Sequence, residues 1–258
     1  MTVLSVNLNK VALIRNSREG QRPNVVDAAR TVLRAGCRGI TVHPRPDMRH
    51  IRPDDVYDLA ALVQEYDDVE FNIEGNPEAP ANAAGYPGFD ALIETVRPHQ
   101  VTLVPDSDDQ LTSDHGFDLS QFNEPLAARI ARYQSYGCRV SLFMDPVLEQ
   151  IGAAKQHGAD RIELYTGPFA ELVWAHGNED ARALASFNTY EAAARHATQL
   201  GMGVNAGHDL DLVNLPLFGR ITEVNEVSIG HALISDALEY GLFETTRKYL
   251  DILARDPI

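Results

Sequence analysis

Val204-Asn205-Ala206-Gly207-His208 and Val227-Ser228-Ile229-Gly230-His231 each carry a short apolar run into Gly-His. Segments of this form suit the C-terminal ends of the last two strands of a parallel barrel, where a (β/α)₈ protein builds its phosphate site and places its proton-transfer groups. Working outward, apolar runs cover residues 3–8, 39–43, 69–74, 101–105, 139–145, 161–166, 203–208 and 226–230. Eight such runs, alternating with longer amphipathic stretches, imply a parallel sheet with crossover helices. Residues 25–35 set Val25, Ala28, Ala29, Val32 and Leu33 at the spacing of one buried helix face. Residues 54–66, 89–97, 124–136, 147–157, 181–200 and 232–253 read similarly, and 210–218 gives the weakest helical signal. Gly36, Gly137, Gly158 and Gly201 fall after helices and before strands, where a left-handed glycine ends a helix. No linker or composition change divides the chain, so the expectation is one (β/α)₈ (TIM) barrel domain over residues 1–258. Two long loops, 76–88 and 106–122, follow strands on the catalytic face; each reads equally well as a lid or as plain surface.

The formal net charge is −15. Such a chain lacks the clustered Lys and Arg on which nucleic-acid binding rests, which argues against that partner. A pocket can still be locally positive and take a small anion. No apolar run approaches the roughly 18 residues of a membrane span, and the opening MTVLSVNLNK reads as a strand, not a signal peptide. Cys37 and Cys138 each follow a glycine at a helix exit and lead into a strand, so both read as small buried apolar residues. A disulfide framework is not expected, and a reducing cytoplasm is.

The strand ends supply Asn7, Asn9 and Lys10; His43 and Arg45; Glu74; Glu163 and Thr166; Asn205 and His208; and Gly230 and His231. Strand interiors read as otherwise apolar, so polar groups gathered at one end point to a site rather than to core packing. Ser228-Ile229-Gly230-His231-Ala232 passes from strand to helix with a glycine at the turn, where backbone N–H groups and the helix dipole favour an anion. Arg45, Arg49 and His50 after strand two, with Arg15 and Arg18 after strand one, form two basic loops suited to two phosphates, although helix capping could explain any single Arg. Neither the P-loop nor the dinucleotide glycine signature occurs. No metal is expected: strand one offers Asn7-Leu8-Asn9 in place of H-x-H, and His43 and His50 are poorly spaced for chelation.

The segments VNLNKVALIRNSR, GITVHPRPDMRHI, FNIEGNP, LVPD, SLFMDP, IELYTG, VNAGHDL and SIGHALI, in this order, resemble the pyridoxine 5′-phosphate synthase family over essentially the whole chain. The resemblance implies a (β/α)₈ barrel that assembles as a homo-octamer, a tetramer of dimers. It implies joining of 1-deoxy-D-xylulose 5-phosphate to 3-amino-2-oxopropyl phosphate to give pyridoxine 5′-phosphate, phosphate and water, with no cofactor. By position, His43 and Glu74 match the family's proton acceptors, His208 its proton donor, and Glu163 the carboxylate that stabilises a transition state. Asn7, Arg45, His50 and Thr112 match positions that hold the deoxyxylulose phosphate; Arg18, Gly230 and His231 match those that hold the aminoketone phosphate.

Three departures stand out. The family's first strand commonly ends Asn-x-Asp-His, where this chain has Asn7-Leu8-Asn9-Lys10. Asn9 and Lys10 are therefore expected to contact substrate, Lys10 through a phosphate or carbonyl oxygen. Asp209 stands where the family often has a phosphate-binding glycine; among the substrate-side positions, its carboxylate is expected to turn away and cap a short helix at Leu210. The loop after Pro105 reads Asp-Ser-Asp-Asp where the family tends to be basic. The alternatives are another phosphorylated-sugar aldolase or lyase on the same barrel, with Lys10 as nucleophile, and a non-catalytic phosphate-binding relative.

Overall fold

The computed structural model describes residues 2–107 and 110–254, so the Asp108-Asp109 part of the acidic loop lies outside the described residues. Eight parallel strands close in sequence order: β1 (Val3–Asn7), β2 (Gly39–Val42), β3 (Glu70–Gly75), β4 (Gln100–Leu103), β5 (Arg139–Met144), β6 (Arg161–Tyr165), β7 (Gly203–Gly207) and β8 (Val224–Ile229). β8 pairs back onto β1, with Leu4 beside Val227. The helices are α1 (Asn9–Asn16), α2 (Val25–Ala35), α3 (Pro53–Val63), α4 (Phe89–Val96), α5 (Glu124–Ser135), α6 (Leu148–Gln156), α7 (Gly167–His176), α8 (Ala181–Gln199), α9 (Leu215–Phe218), α10 (His231–Tyr240) and α11 (Leu242–Leu253). The (β/α)₈ barrel expected from the sequence is the fold.

Local chemistry sets several boundaries. Asn24 and Asn123 accept hydrogen bonds from the N–H groups of Asp27 (2.9 Å) and Leu126 (3.0 Å), capping α2 and α5. The four glycines expected to end helices all have φ between +75° and +111°.

Side chains alternate along each strand, and the two parities do different work. On β3, Phe71 and Ile73 lie in the apolar core shared with the helices, while Asn72 and Glu74 join polar partners on neighbouring strands. Each fully buried aliphatic chain of the outer parity contributes about 1.5–3 kcal/mol. The other parity carries a hydrogen-bonded chain: Ser5 and Thr41 hydroxyls are 2.7 Å apart, Asn72 donates to Thr41 at 3.4 Å, and Thr102 reaches Asn72 at 3.1 Å and Glu163 at 3.4 Å. The expectation of otherwise apolar strand interiors is thus wrong. The apolar runs come from the helix-facing parity, and polar side chains extend below the strand ends.

Four stretches also differ from expectation. The first strand stops at Asn7, and Asn9 and Lys10 open α1. The stretch 232–253 is two helices, because Gly241 at φ +78° ends α10 and starts α11. Only Leu215–Phe218 of the stretch 210–218 is helical, and α7 was not anticipated.

Candidate active site

A cleft of about 950 Å³, counting its open mouth, lies over the C-terminal strand ends. Asn7, Asn9, Lys10, His43, Arg45, His50, Glu74, Thr112, Glu163, His208, Asp209, Gly230 and His231 line it. Of the site positions named from sequence, Arg15, Arg18, Thr166 and Asn205 are not among the lining residues: Arg18 sits exposed beyond the end of α1, Asn205 accepts from Arg161 at 2.7 Å, and the Thr166 hydroxyl donates to the Gly207 carbonyl at 2.6 Å. Arg49, Ser113, Phe143 and Ser228 join the lining.

The turn from β1 into α1 builds one wall. Asn7 accepts the Asn9 N–H at 3.0 Å and donates to Glu74 at 3.2 Å; Asn9 in turn accepts the His43 backbone N–H at 2.9 Å. Further along α1, Arg15 donates to Asp55 (2.9 Å) and to the His50 carbonyl (3.1 Å), and Asn16 donates to that carbonyl at 2.8 Å. Arg15 is therefore a buried strut that holds the His50 loop, and its guanidinium is committed there rather than to a phosphate.

Arg45 is buried and ion-paired with Asp106, which also accepts from the Ser113 hydroxyl at 2.8 Å. That carboxylate leaves Arg45 oriented at the cleft floor, with no uncompensated buried charge. Sequence spacing could not reveal Asp106 in this role, since 61 residues separate the partners.

His43 and His50 are both neutral. Burial first, then the positive charge of Arg45 and Arg49, hold His43 well below the usual imidazole range. Burial, with Arg45 and Lys10, lowers His50 to about 3. Because the Ile51 N–H donates to His50 Nδ1 at 2.9 Å, the His50 proton sits on Nε2, which makes it an uncharged donor.

The carboxyls are biased the other way. Burial raises Glu74 well above the usual range, and the neighbouring Glu163 and Asp106 add to this. Glu163 is pushed up to about 8 by burial and by Glu226, which lies deeper in the barrel, 3.8 Å from Arg161. Gly207 makes room for this arrangement, since a Cβ there would come within 2.6 Å of the Glu163 carboxyl.

At the exit of β7, His208 Nδ1 lies 2.8 Å from Asp209 Oδ2 and Nε2 lies 2.9 Å from the Thr112 hydroxyl. Asp209 does not cap a helix: α9 starts at Leu215, and the carboxylate turns to the imidazole instead. Across the cleft, the first turn of α10 presents backbone N–H groups that lack helical partners, beside His231. Lys10, Arg49 and these N–H groups make an anion-attracting rim on an acidic protein. Among the described residues, no three His, Cys, Asp or Glu side chains are grouped to hold a metal ion.

The model of the family described as "Pyridoxal phosphate biosynthesis protein PdxJ" matches residues 4–255. A curated protein named pyridoxine 5′-phosphate synthase from Xanthomonas campestris pv. campestris is 56% identical over 254 residues, covering 98% of this chain and 96% of its own. One of the same name from Xylella fastidiosa is 55% identical over 253 residues, covering 98% and 95%. Among solved structures, tryptophan synthase from M. tuberculosis aligns with a TM-score of 0.61 at 11% identity, covering 98% of this chain and 93% of that one. Thiamine phosphate pyrophosphorylase from Pyrococcus furiosus aligns at 0.57 and 13%, covering 98% and 95%. At such identities the structural likeness speaks to the barrel alone.

Proposed function

The chain belongs to the pyridoxal phosphate biosynthesis protein PdxJ family, and from that premise we propose that it is a pyridoxine 5′-phosphate synthase. It joins 1-deoxy-D-xylulose 5-phosphate to 3-amino-2-oxopropyl phosphate and releases pyridoxine 5′-phosphate, phosphate and water. One barrel domain does this by acid/base catalysis, without metal or cofactor, in the cytoplasm and as a homo-octamer, a tetramer of dimers. No helix among the described residues is long and apolar enough to cross a membrane.

The observation that carries the reading is the meeting in one cleft of neutral imidazoles, neutral-leaning carboxyls and an anion-attracting rim. Joining an amine to a ketone moves protons on nitrogen and oxygen, and aromatising the ring removes them from carbon; groups that can hold or release a proton near neutrality serve both. His43, uncharged, accepts a proton. Glu74, biased toward its acid, becomes an acceptor once a cationic amine or iminium lies beside it, because an opposite charge favours the carboxylate. Glu163 as a neutral acid donates a hydrogen bond to a developing oxyanion, and His208, once its Nε2 has taken a proton released by the substrate, passes that proton to the departing oxygen. Arg45, His50, Asn7 and Thr112 hold one phosphorylated substrate; the Gly230–His231 turn and Lys10 hold the phosphate of the other.

The test is purified, EDTA-treated protein with both substrates, followed by absorbance and mass spectrometry. Pyridoxine 5′-phosphate forming without added metal is the expected result. Folded protein and intact substrates with no product would overturn the reading.

A further inference from the structure

We propose that Asp209 is a positioning residue for this reaction, holding the His208 ring so that Nδ1 carries its hydrogen to the carboxylate and Nε2 is the atom presented to substrate. The inference rests on the acid/base reading of His208 given above, and goes beyond it by assigning the group that aims the imidazole. Three observations carry it. The Asp209 Oδ2 to His208 Nδ1 distance is 2.8 Å, and a carboxylate only accepts, so the hydrogen of the pair belongs to Nδ1. The other nitrogen, Nε2, lies 2.9 Å from the Thr112 hydroxyl on the cleft wall, where a substrate oxygen can replace that hydroxyl. The ring is further fixed by Tyr165, which meets it edge-on at 5.2 Å between centroids.

The backbone supplies a further observation. His208 and Asp209 both have left-handed φ values, +87° and +59°. A side chain in that region costs conformational free energy that glycine would not. The turn is nevertheless clamped: the Thr166 hydroxyl lies 2.6 Å from the Gly207 carbonyl and also within reach of the His208 carbonyl, and Asn214 donates to the Asp209 carbonyl at 2.9 Å. What the strained Asp209 provides in return is the carboxylate on the imidazole. Its charge is secured because the hydrogen bond from His208, with Lys10 nearby, holds its carboxyl below the usual range.

The experiment compares Asp209→Asn and Asp209→Gly with the unaltered enzyme. Glycine relieves the backbone strain, so Asp209→Gly should melt no lower than the parent; a residue with a merely structural role would show the reverse. Both variants should lose about 10- to 100-fold in kcat with KM changed less than about threefold, the pattern of a misaimed proton donor. In a His208→Gln background, Asp209→Asn should cause no further loss. ¹⁵N NMR of the His208 ring should report Nδ1–H in the parent and a mixed or reversed tautomer in Asp209→Asn. Unchanged kcat with unchanged ring signals overturns the proposal, and so does a change confined to KM. A parent enzyme that makes no product overturns the synthase reading instead, while the ring signals still decide the pairing.

Discussion

Replacing Glu163 with glutamine should make the protein harder to unfold above neutral pH while leaving its stability near pH 5 almost unchanged. In the native barrel, burial and the Glu226 carboxylate raise Glu163 from its ordinary value of 4.5 to about 8. An unfolded chain releases that proton above 4.5, whereas the folded chain keeps it until about 8. Glu163 therefore contributes its full stabilisation below the unfolded value and loses it progressively as pH climbs through the folded one. At about 1.4 kcal/mol per pH unit, the erosion across this window totals roughly 5 kcal/mol, and most of it has occurred by pH 7. Glutamine matches the neutral acid in size, keeps a hydrogen-bond partner for Thr102 at the 3.4 Å contact, and has no proton to lose. Glu226, itself raised to about 7, keeps a slope of the same sign in the variant, so the pH dependence should shrink without vanishing.

Urea unfolding followed by circular dichroism at pH 5.0 and 8.5 measures this directly. The variant should be within about 1 kcal/mol of the parent at the lower pH and ahead of it by about 3–5 kcal/mol at the higher. A variant weakened equally at both pH values would refute the reasoning, as would a parent whose stability does not fall over this range. Either result would mean that Glu163 is already ionised in the folded protein.

Lys10→Met should raise KM for a phosphorylated substrate about tenfold with kcat nearly kept, and borohydride with substrate should label no lysine in the parent; loss of chemistry instead would favour the aldolase reading. His43→Gln should cost about 10²–10⁴ in kcat, and since burial and neighbouring Arg45 hold His43 well below the usual imidazole range, the parent's pH–rate profile should show no titration of this ring in that range. Gly116→Ala should lower the melting temperature at a cost of about 1–3 kcal/mol. A Cβ there would lie 2.3 Å from the Asp145 nitrogen, and backbone cannot yield as a side-chain tip can.

Sequence carried the barrel because closure imposes a repeated demand: each strand must offer its helices an apolar parity, which leaves a run such as Ile40 and Val42 on β2. α2 was readable to its ends because its buried stripe and its terminal Gly36 agree. α1 was not, since its leading Leu8 makes no side-chain cap and its eight residues continue the apolar look of β1. α10 and α11 share an unbroken amphipathic pattern, and only the left-handed Gly241 separates them. In the site, strand-end position was enough to gather most of the named residues into one cleft, Thr166 and Asn205 excepted. Side-chain direction was not legible: Arg45 meets Asp106 from another loop, and Asp209 turns to His208 because two successive positive φ angles swing it there.

The polar barrel interior links fold to chemistry. Burying Ser5, Thr41, Asn72 and Thr102 inside a sheet costs free energy unless each finds a partner, and here they find one another in a lateral chain that ends on Glu163. An ionised Glu163 would need donors that this chain does not have to spare, because the single Thr102 hydroxyl proton is also sought by Asn72. A neutral Glu163 resolves the conflict: it needs fewer donors than a carboxylate, so the Thr102 proton can go to Asn72 while the Glu163 O–H stays available to a substrate oxygen. The hydrogen-bond arithmetic of the barrel core and the desolvation of the carboxyl thus favour the same protonation state. That state suits a group facing a carbonyl oxygen about to gain charge, so an apolar replacement of Thr102 should weaken catalysis through Glu163 even though Thr102 is not among the residues lining the cleft.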